Sequence, residues 1–158
     1  MDIQKMVDNA VAAQRSEEMK TSDQLMVGEL ILKLQAVSDK SKKVRFDFCD
    51  EQQQFYAPNG AESYRGRYSE LALTYDTSPI YPCEKLLSGF EKVIGMTFQG
   101  YKGGSYTMGK NTPVWVANHG DSGVSNYKGK EYEYVAVVGV EESPCGEFVV
   151  IKTHERET

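Results

Sequence analysis

The chain has 158 residues, of which 40% are hydrophobic and 26% are charged. A domain of this size buries roughly two-thirds of the surface that its unfolded chain exposes, so we expect a single hydrophobic core. The net charge of −5 argues against a protein that coats nucleic acid, although it leaves room for a local basic pocket. Apolar runs such as 135–140 are far shorter than the roughly 20 residues of a membrane span, which argues against a membrane protein.

Neither a targeting segment nor a metal site is predicted. In Met1-Asp2-Ile3-Gln4-Lys5 no apolar stretch follows a basic region, so we expect no secretory signal and a cytoplasmic protein. The three cysteines form no Cys-x-x-Cys pair and are too few for a disulfide framework, which predicts reduced thiols. The two histidines have no metal-binding spacing, so we expect neither a metal nor a cofactor.

Two helices are predicted in the first part of the chain. An amphipathic helix over Asp2–Met19 has its apolar residues at helical spacing: Ile3, Met6, Val7, Ala10 and Val11. Thr21-Ser22-Asp23 offers capping side chains to a second helix with a wider apolar face: Met26, Val27, Leu30, Ile31, Leu34 and Val37. We therefore expect an N-terminal amphipathic helix in residues 1–20 and a single α+β ligand-binding domain in residues 21–158.

A change of period at Lys43 predicts the first strand, because Val44-Arg45-Phe46-Asp47-Phe48 alternates apolar and polar residues. A polar loop containing Pro58-Asn59-Gly60 follows, and then a long strand over 64–75, bulged at Gly66. Pro82 is suited to the first turn of a third helix that Gly95 ends. The apolar face of that helix is predicted to contain Leu86, Leu87, Phe90, Val93 and Ile94.

The rest of the chain is predicted to form strands at 97–99, 105–108, 114–118, 132–140 and 147–152. The last two flank the turn Ser143-Pro144-Cys145-Gly146 and should form an antiparallel hairpin. Because strands and helices do not alternate regularly, the pattern favours an α+β fold with an antiparallel sheet and helices packed on one face.

A glycine-rich motif, Gly100-Tyr101-Lys102-Gly103-Gly104-Ser105-Tyr106, is the first candidate site. Paired glycines let the backbone approach an anion, lysine adds positive charge, and the tyrosines offer stacking faces. The alternative is an ordinary hairpin turn, because a phosphate-binding loop requires a longer glycine-bounded loop followed by a helix.

An arginine motif, Tyr64-Arg65-Gly66-Arg67-Tyr68, is the second candidate. In a strand, Arg65 and Arg67 would project from the same face, and guanidinium groups bind phosphate oxygens in pairs of hydrogen bonds. The alternative is a solvated strand face with its tyrosines in the core.

Trp115 is expected in the core or an interface rather than as a stacking platform. Asn118, at a strand end, carries an amide suited to the edge of a base. His119 is expected to be a turn residue. Two further groups, Asp47 with Asp50 and Glu70, are candidates for paired catalytic acids, but nothing in the sequence fixes their separation, so we assign no catalytic residue.

Several segments together resemble a family of small phage proteins, the first Thoeris anti-defence family. The resemblance covers roughly residues 26–118 and rests on Gly28-Glu29-Leu30-Ile31, Val44-Arg45-Phe46-Asp47-Phe48, Ser63-Tyr64-Arg65-Gly66-Arg67-Tyr68, Leu71-Ala72-Leu73, Thr97-Phe98-Gln99-Gly100-Tyr101-Lys102-Gly103-Gly104 and Thr112-Pro113-Val114-Trp115-Val116-Ala117. The helix over Asp2–Met19 has no counterpart in this pattern.

The resemblance implies a sponge that sequesters cyclic ADP-ribose isomers made by bacterial immune enzymes, and in some members cyclic oligonucleotides, without degrading them. It implies work in the host-cell cytoplasm by a homo-oligomer with twofold interfaces whose pockets are shared. The ligand-binding residues expected from the motifs and the resemblance are Arg65, Arg67, Phe98, Tyr101, Lys102 and Asn118. An inhibitor that binds a host protein and a nucleotide hydrolase remain the alternatives.

Overall fold

The computed structural model describes residue 3 and residues 23–48, 57–63, 70–76, 81–100, 104–118, 124–127, 130–132 and 134–155. No helix in these segments is long and apolar enough to cross a membrane. Ile3 has a helical backbone, and the rest of the predicted first helix lies outside the described residues. The helices are α1 (Val27–Gln35) and α2 (Cys83–Val93), and the strands are β1 (Lys43–Phe46), β2 (Ala57–Glu62), β3 (Leu71–Asp76), β4 (Thr97–Gln99), β5 (Ser105–Thr107), β6 (Val114–Asn118), β7 (Val124–Tyr127), β8 (Lys130–Tyr132), β9 (Val135–Glu142) and β10 (Phe148–Glu155).

Six strands form one sheet in the order β1-β10-β9-β6-β3-β2, and β4-β5 and β7-β8 form separate two-stranded sheets. The α+β class is confirmed. The sheet is mixed rather than antiparallel throughout, because β1 runs parallel to β10 and β3 runs parallel to β6. These parallel partners come from distant parts of the chain, so the spacing of short strands along the sequence did not reveal them. The predicted β9–β10 hairpin is confirmed.

The six-stranded sheet is strongly curled. Its two edge strands, β1 and β2, approach each other with Cα atoms within 8 Å. Inside the curl, the rings of Phe46 on β1 and Tyr75 on β3 meet edge to face with centroids 5.8 Å apart. Phe48 stacks on Phe46 at 4.9 Å. We call the inner side the concave face and the outer side the convex face.

Both helices pack on the concave face, as expected from their apolar stripes. α2 follows the sequence prediction closely: Pro82 is its N-cap, and the chain turns away at Gly95, whose φ of 88° favours glycine. The concave core joins the helices to one side of the sheet through Leu30, Ile31, Leu34, Leu86, Phe90, Val44, Phe46, Leu71, Leu73, Tyr75, Val114, Val116, Val135, Val137, Val149 and Ile151.

α1 begins later than the capping residues at 21–23 predicted. Leu25 is inserted between β6 and β9: its N–H donates to Val137 O at 2.8 Å, and its carbonyl accepts from Val114 N at 3.0 Å. These sheet-like hydrogen bonds hold the chain extended up to Met26. The helix can therefore begin only at Val27, where tertiary pairing overrides local capping preference.

The region expected to be a polar loop around Pro58-Asn59-Gly60 forms the edge strand β2, so that expectation is wrong. The register shifts between Pro58 and Gly60, which is the irregularity that an edge strand tolerates. A Cβ at Gly60 would lie 2.8 Å from Thr74 Oγ1, so the two strands approach closely there. Of the long strand predicted over 64–75, the described part begins at Leu71, and residues 64–69 lie outside the described residues.

Candidate ligand-binding site

The glycine-rich motif forms the tip of the β4–β5 hairpin. The stem pairs Phe98 with Tyr106, and the Gly100 N–H closes the tip by donating to Gly104 O at 2.6 Å. The hairpin-turn interpretation of this backbone is therefore confirmed. Tyr101 and Lys102 lie between these two glycines and outside the described residues.

The two faces of this hairpin differ in chemistry. On one face, Phe98 is half-buried and packs against the concave core. On the same face, a Cβ at Gly104 would lie 3.1 Å from Tyr106 Oη, so the tyrosine ring covers the glycine backbone. The other face is exposed and polar, with Thr97 Oγ1 and Thr107 Oγ1 2.9 Å apart. Phe98 thus holds the stem on the domain, a role that competes with its predicted contact to a ligand.

The arginine motif belongs to the connection between β2 and β3. Arg65 and Arg67 lie outside the described residues, but the residue that follows the connection, Glu70, is fully buried. Its Oε1 accepts a hydrogen bond from Tyr134 Oη at 2.6 Å. This hydrogen bond therefore holds the end of the connection next to Tyr134, which directly precedes β9.

Further contacts extend this anchor on the convex face. Gln24 Nε2 donates to Tyr134 Oη at 2.6 Å and to Val114 O at 2.9 Å. The Tyr134 ring stacks on Trp115, with centroids 5.6 Å apart and planes at 3°. Trp115 is fully buried, as expected. We call Gln24, Glu70, Trp115 and Tyr134 the polar anchor; Gln24 and Tyr134 are 110 residues apart, and no sequence signal pairs them.

Both candidate segments attach to the sheet at the same end of its strands. This is the end at which the neighbouring strands β3 and β6 begin. The connection that carries the arginines ends there, where Leu71 N donates to Pro113 O at 2.9 Å. The hairpin returns to the same edge through Met108 and a turn in which Thr112 N donates to Gly109 O at 3.2 Å. The structure therefore brings together the roots of the two segments.

Asn118 lies at the opposite end of β6, paired with Tyr75 of β3. At about 3.3 Å per residue, the four steps from Val114 place the Asn118 backbone ~13 Å from the strand end at which the two candidate segments attach. In the described backbone, Asn118 is therefore separated from the points at which the two candidate segments attach to the sheet.

Two of the candidate catalytic acids, Asp47 and Glu70, do not form a pair. Asp47 Oδ2 accepts from Thr153 N at 2.9 Å and Oδ1 accepts from the Thr153 hydroxyl, so this carboxylate ties the end of β1 to β10. Asp47 follows β1 and Glu70 precedes β3. Because these two strands run in the same direction, the two acids lie at opposite ends of the strands of the sheet. Asp50 and His119 lie outside the described residues.

The described residues contain no group of three or more His, Cys, Asp or Glu side chains that could hold a metal ion. Cys83 and Cys145 are not joined by a disulfide, and Cys49 is outside the described residues. Burial raises the pKa of the Cys83 thiol, whose Sγ lies 3.7 Å from Leu34 O. A hydrogen bond with the Ser143 hydroxyl lowers the pKa of the exposed Cys145 thiol.

Comparison of this chain with protein-family models, with curated proteins and with solved structures gave no match. The family resemblance of the motifs stays a prediction. The functional argument therefore rests on the motifs and on how the fold roots them.

Proposed function

We propose that this protein binds and sequesters a small anionic, nucleotide-like ligand without degrading it. The ligand class is a cyclic ADP-ribose isomer, with cyclic oligonucleotides as a related class. In this proposal it is a phage anti-defence sponge that works in the cytoplasm of the host cell as a homo-oligomer with twofold interfaces. The motif resemblance supplies the ligand class, and the fold supplies the support described below.

One observation carries the proposal: the arginine connection and the glycine-rich hairpin attach to the sheet at the same end of its strands. Leu71 N donates to Pro113 O there, and the hairpin reaches Pro113 through the turn after Met108. A pyrophosphate carries two negative charges, which guanidinium and ammonium groups bind in charge-assisted hydrogen bonds. A base needs an aromatic face beside them. Segments rooted together can supply both to one ligand.

The rigidity of the two roots also favours binding. Glu70, directly after the arginine connection, is held by Tyr134, and the hairpin stem is held on the core by Phe98. A site whose supports are already ordered loses less conformational entropy when the ligand binds. This supports the tight binding that a sequestering protein requires.

The proposal is tested by capture and release. The purified protein is incubated with a cyclic ADP-ribose isomer, separated from free ligand and denatured by heat, and the released molecules are identified by mass spectrometry. Intact ligand supports the sponge. Altered ligand would establish a nucleotide hydrolase, and absence of capture would favour an inhibitor that binds a host protein.

A substitution sharpens the same test. Arg65→Ala should weaken capture by about 1.5–3 kcal/mol, the usual scale of a charge-assisted hydrogen bond, and leave the melting temperature unchanged. Lys33→Ala is the control, because it removes the same charge from an exposed position on α1. Calorimetric titration that gives equal affinities for wild type and Arg65→Ala would remove this residue from the site.

A further inference from the structure

Strand β1 carries two cations on its convex side. Val44 and Phe46 are buried in the concave core, so the alternate residues Lys43 and Arg45 lie on the convex side. Lys43 is exposed and Arg45 is half-buried. Two residues along a strand separate their Cα atoms by about 6.6 Å, a distance that lets both long side chains reach one anion. Neither cation forms an ion pair with a carboxylate of the described segments.

An aromatic ring holds the arginine in place. Arg45 Cζ lies 4.7 Å from the centre of the Phe148 ring, and Phe148 is the residue paired with Lys43 across the β1–β10 ladder. The Nε atom of Arg45 is buried and has no hydrogen-bond partner in the described structure. A partly desolvated cation without a counter-charge costs free energy, which a bound anion would recover. We call Lys43, Arg45 and Phe148 the cationic patch.

Two carboxylates near the cationic patch are engaged with other groups. Asp47, two residues beyond Arg45, accepts hydrogen bonds from the backbone N–H and the hydroxyl of Thr153. Glu141 of β9 has its Oε2 3.8 Å from Lys152 Nζ. The cationic patch is therefore a local excess of positive charge in a chain whose net charge is −5. Such a small positive region suits one compact anion, whereas binding along a nucleic acid requires an extended basic face.

The cationic patch lies at the strand end to which the two candidate segments attach. Lys43 and Phe148 are the first residues of β1 and β10, and these strands run in the same direction as β3 and β6. The cationic patch is also on the convex face, where Tyr134 holds Glu70 directly after the arginine connection. It thus shares both a face and a strand end with the segment that follows the arginines.

We propose that the cationic patch binds the phosphate groups of the captured ligand, with Arg45 as the main contact and Lys43 beside it. This inference rests on the proposed function for the identity of that ligand. A guanidinium group donates two parallel hydrogen bonds to phosphate oxygens, and an ammonium group adds a second positive charge. Because Phe148 already fixes the plane of the guanidinium, binding costs less side-chain entropy. No residue of the cationic patch belongs to the ligand-binding set predicted from the sequence.

The first experiment uses inorganic pyrophosphate as the probe. The full chain is titrated at constant ionic strength and followed by ¹H–¹⁵N NMR, including the Nε–H signal of Arg45. This signal and the backbone amides of β1 and β10 should shift and saturate, and Arg45→Gln should abolish the saturable shift. Lys33→Gln is the matched control, because it removes a cation from α1 on the opposite face of the sheet. Absence of a saturable shift in wild type, or an unchanged shift in Arg45→Gln, overturns the proposal.

The second experiment measures the affinity for a cyclic ADP-ribose isomer by calorimetry. Arg45→Gln should bind about tenfold more weakly or worse, the usual effect of losing a charge-assisted hydrogen bond. Arg45→Lys should recover only part of the loss, since lysine keeps the charge but not the planar pair of donors. Lys43→Gln should also weaken binding, and its exposed position keeps this variant folded if Arg45→Gln is unstable.

The outcomes separate this inference from the proposed function. If wild type captures the ligand and both Arg45→Gln and Lys43→Gln bind it equally well, the sponge stands and the cationic patch is not part of its site. If wild type captures no isomer, the proposed function is wrong, and the pyrophosphate titration alone decides whether the cationic patch binds phosphate.

Discussion

The two faces of the curled sheet carry different kinds of side chain. The concave face holds the large aliphatic and aromatic side chains that meet α1 and α2. The described part of the convex face holds small side chains around one aromatic pair, Trp115 with Tyr134, together with Ala72, Ala117 and Ala136. The polar anchor adds a buried glutamate and glutamine to this second face.

This difference separates two tasks. Apolar packing on the concave face supplies stability in proportion to the buried area, and volume-conserving changes are tolerated there. On the convex face, the Glu70–Tyr134 hydrogen bond has a required geometry, because a buried carboxylate that loses its donor costs free energy. The convex face therefore fixes the position of the segment next to the arginines, whereas the concave face determines that the domain folds.

The largest effect is expected on the concave face. Leu30→Ala should lower the free energy of unfolding by about 2–5 kcal/mol, because Leu30 is fully buried and the substitution leaves a cavity. Leu32→Ala is the matched control on the same helix; at 67% exposure it should cost less than about 0.5 kcal/mol. Urea unfolding measures both. Equal costs would contradict the assigned orientation of α1.

A smaller effect is expected on the convex face. Tyr134→Phe should cost about 1.5–3 kcal/mol, because Glu70 loses a donor at 2.6 Å while the ring stack on Trp115 remains. Tyr81→Phe is the control, since the ring of Tyr81 keeps its contact with Lys85 Nζ, 4.0 Å from the ring centre. If Tyr134→Phe also weakens ligand capture and Leu30→Ala, at a temperature where it remains folded, does not, the two faces have the separate tasks described above.

The smallest effect concerns the pH dependence at Cys83, between the helices. Burial raises the pKa of this thiol above its ordinary value, so the folded state holds the proton more tightly than the unfolded state. Its contribution to stability is fully present below the pKa of the unfolded chain and is lost as the pH rises through the folded value. The stability of wild type relative to Cys83→Ala should therefore be constant near neutral pH and fall in alkaline solution. Thermal melts from pH 7 to about 10 measure it, and a flat difference would contradict a buried neutral thiol.

The sequence predicts α2 well because everything that defines it is local. Pro82, the apolar stripe and Gly95 lie within one short segment, and the structure uses each as expected. The predicted start of α1 is wrong because Leu25 forms hydrogen bonds with two strands that are distant in sequence. The loop predicted in place of β2 is wrong for a related reason. Pro58 and Gly60 have turn preferences, but they occupy an edge strand whose partner, β3, accepts a shifted register.

For the candidate site, the same division holds. The glycines at 100 and 104 predict a hairpin tip, and the stem confirms it. The parallel pairing of β3 with β6 is what places the attachment points of the arginine connection and of this hairpin at the same end of the sheet. The local sequence pattern does not encode this pairing. The burial of Glu70 was likewise not predicted, since a glutamate beside an arginine motif is ordinarily a solvated residue.

The position of β10 has a consequence for the order of events during folding. This strand follows all others of the sheet along the chain, yet it lies inside the sheet, between β1 and β9. Lys42 and Glu142, which form an ion pair of 2.9 Å beside this region, are 100 residues apart. A nascent chain leaving the ribosome thus carries β1 without its neighbour until the last strand has been synthesised. The six-stranded sheet can therefore be completed only after β10 has been synthesised, and until then the hydrogen-bonding groups of β1 that pair with β10 have no strand partner.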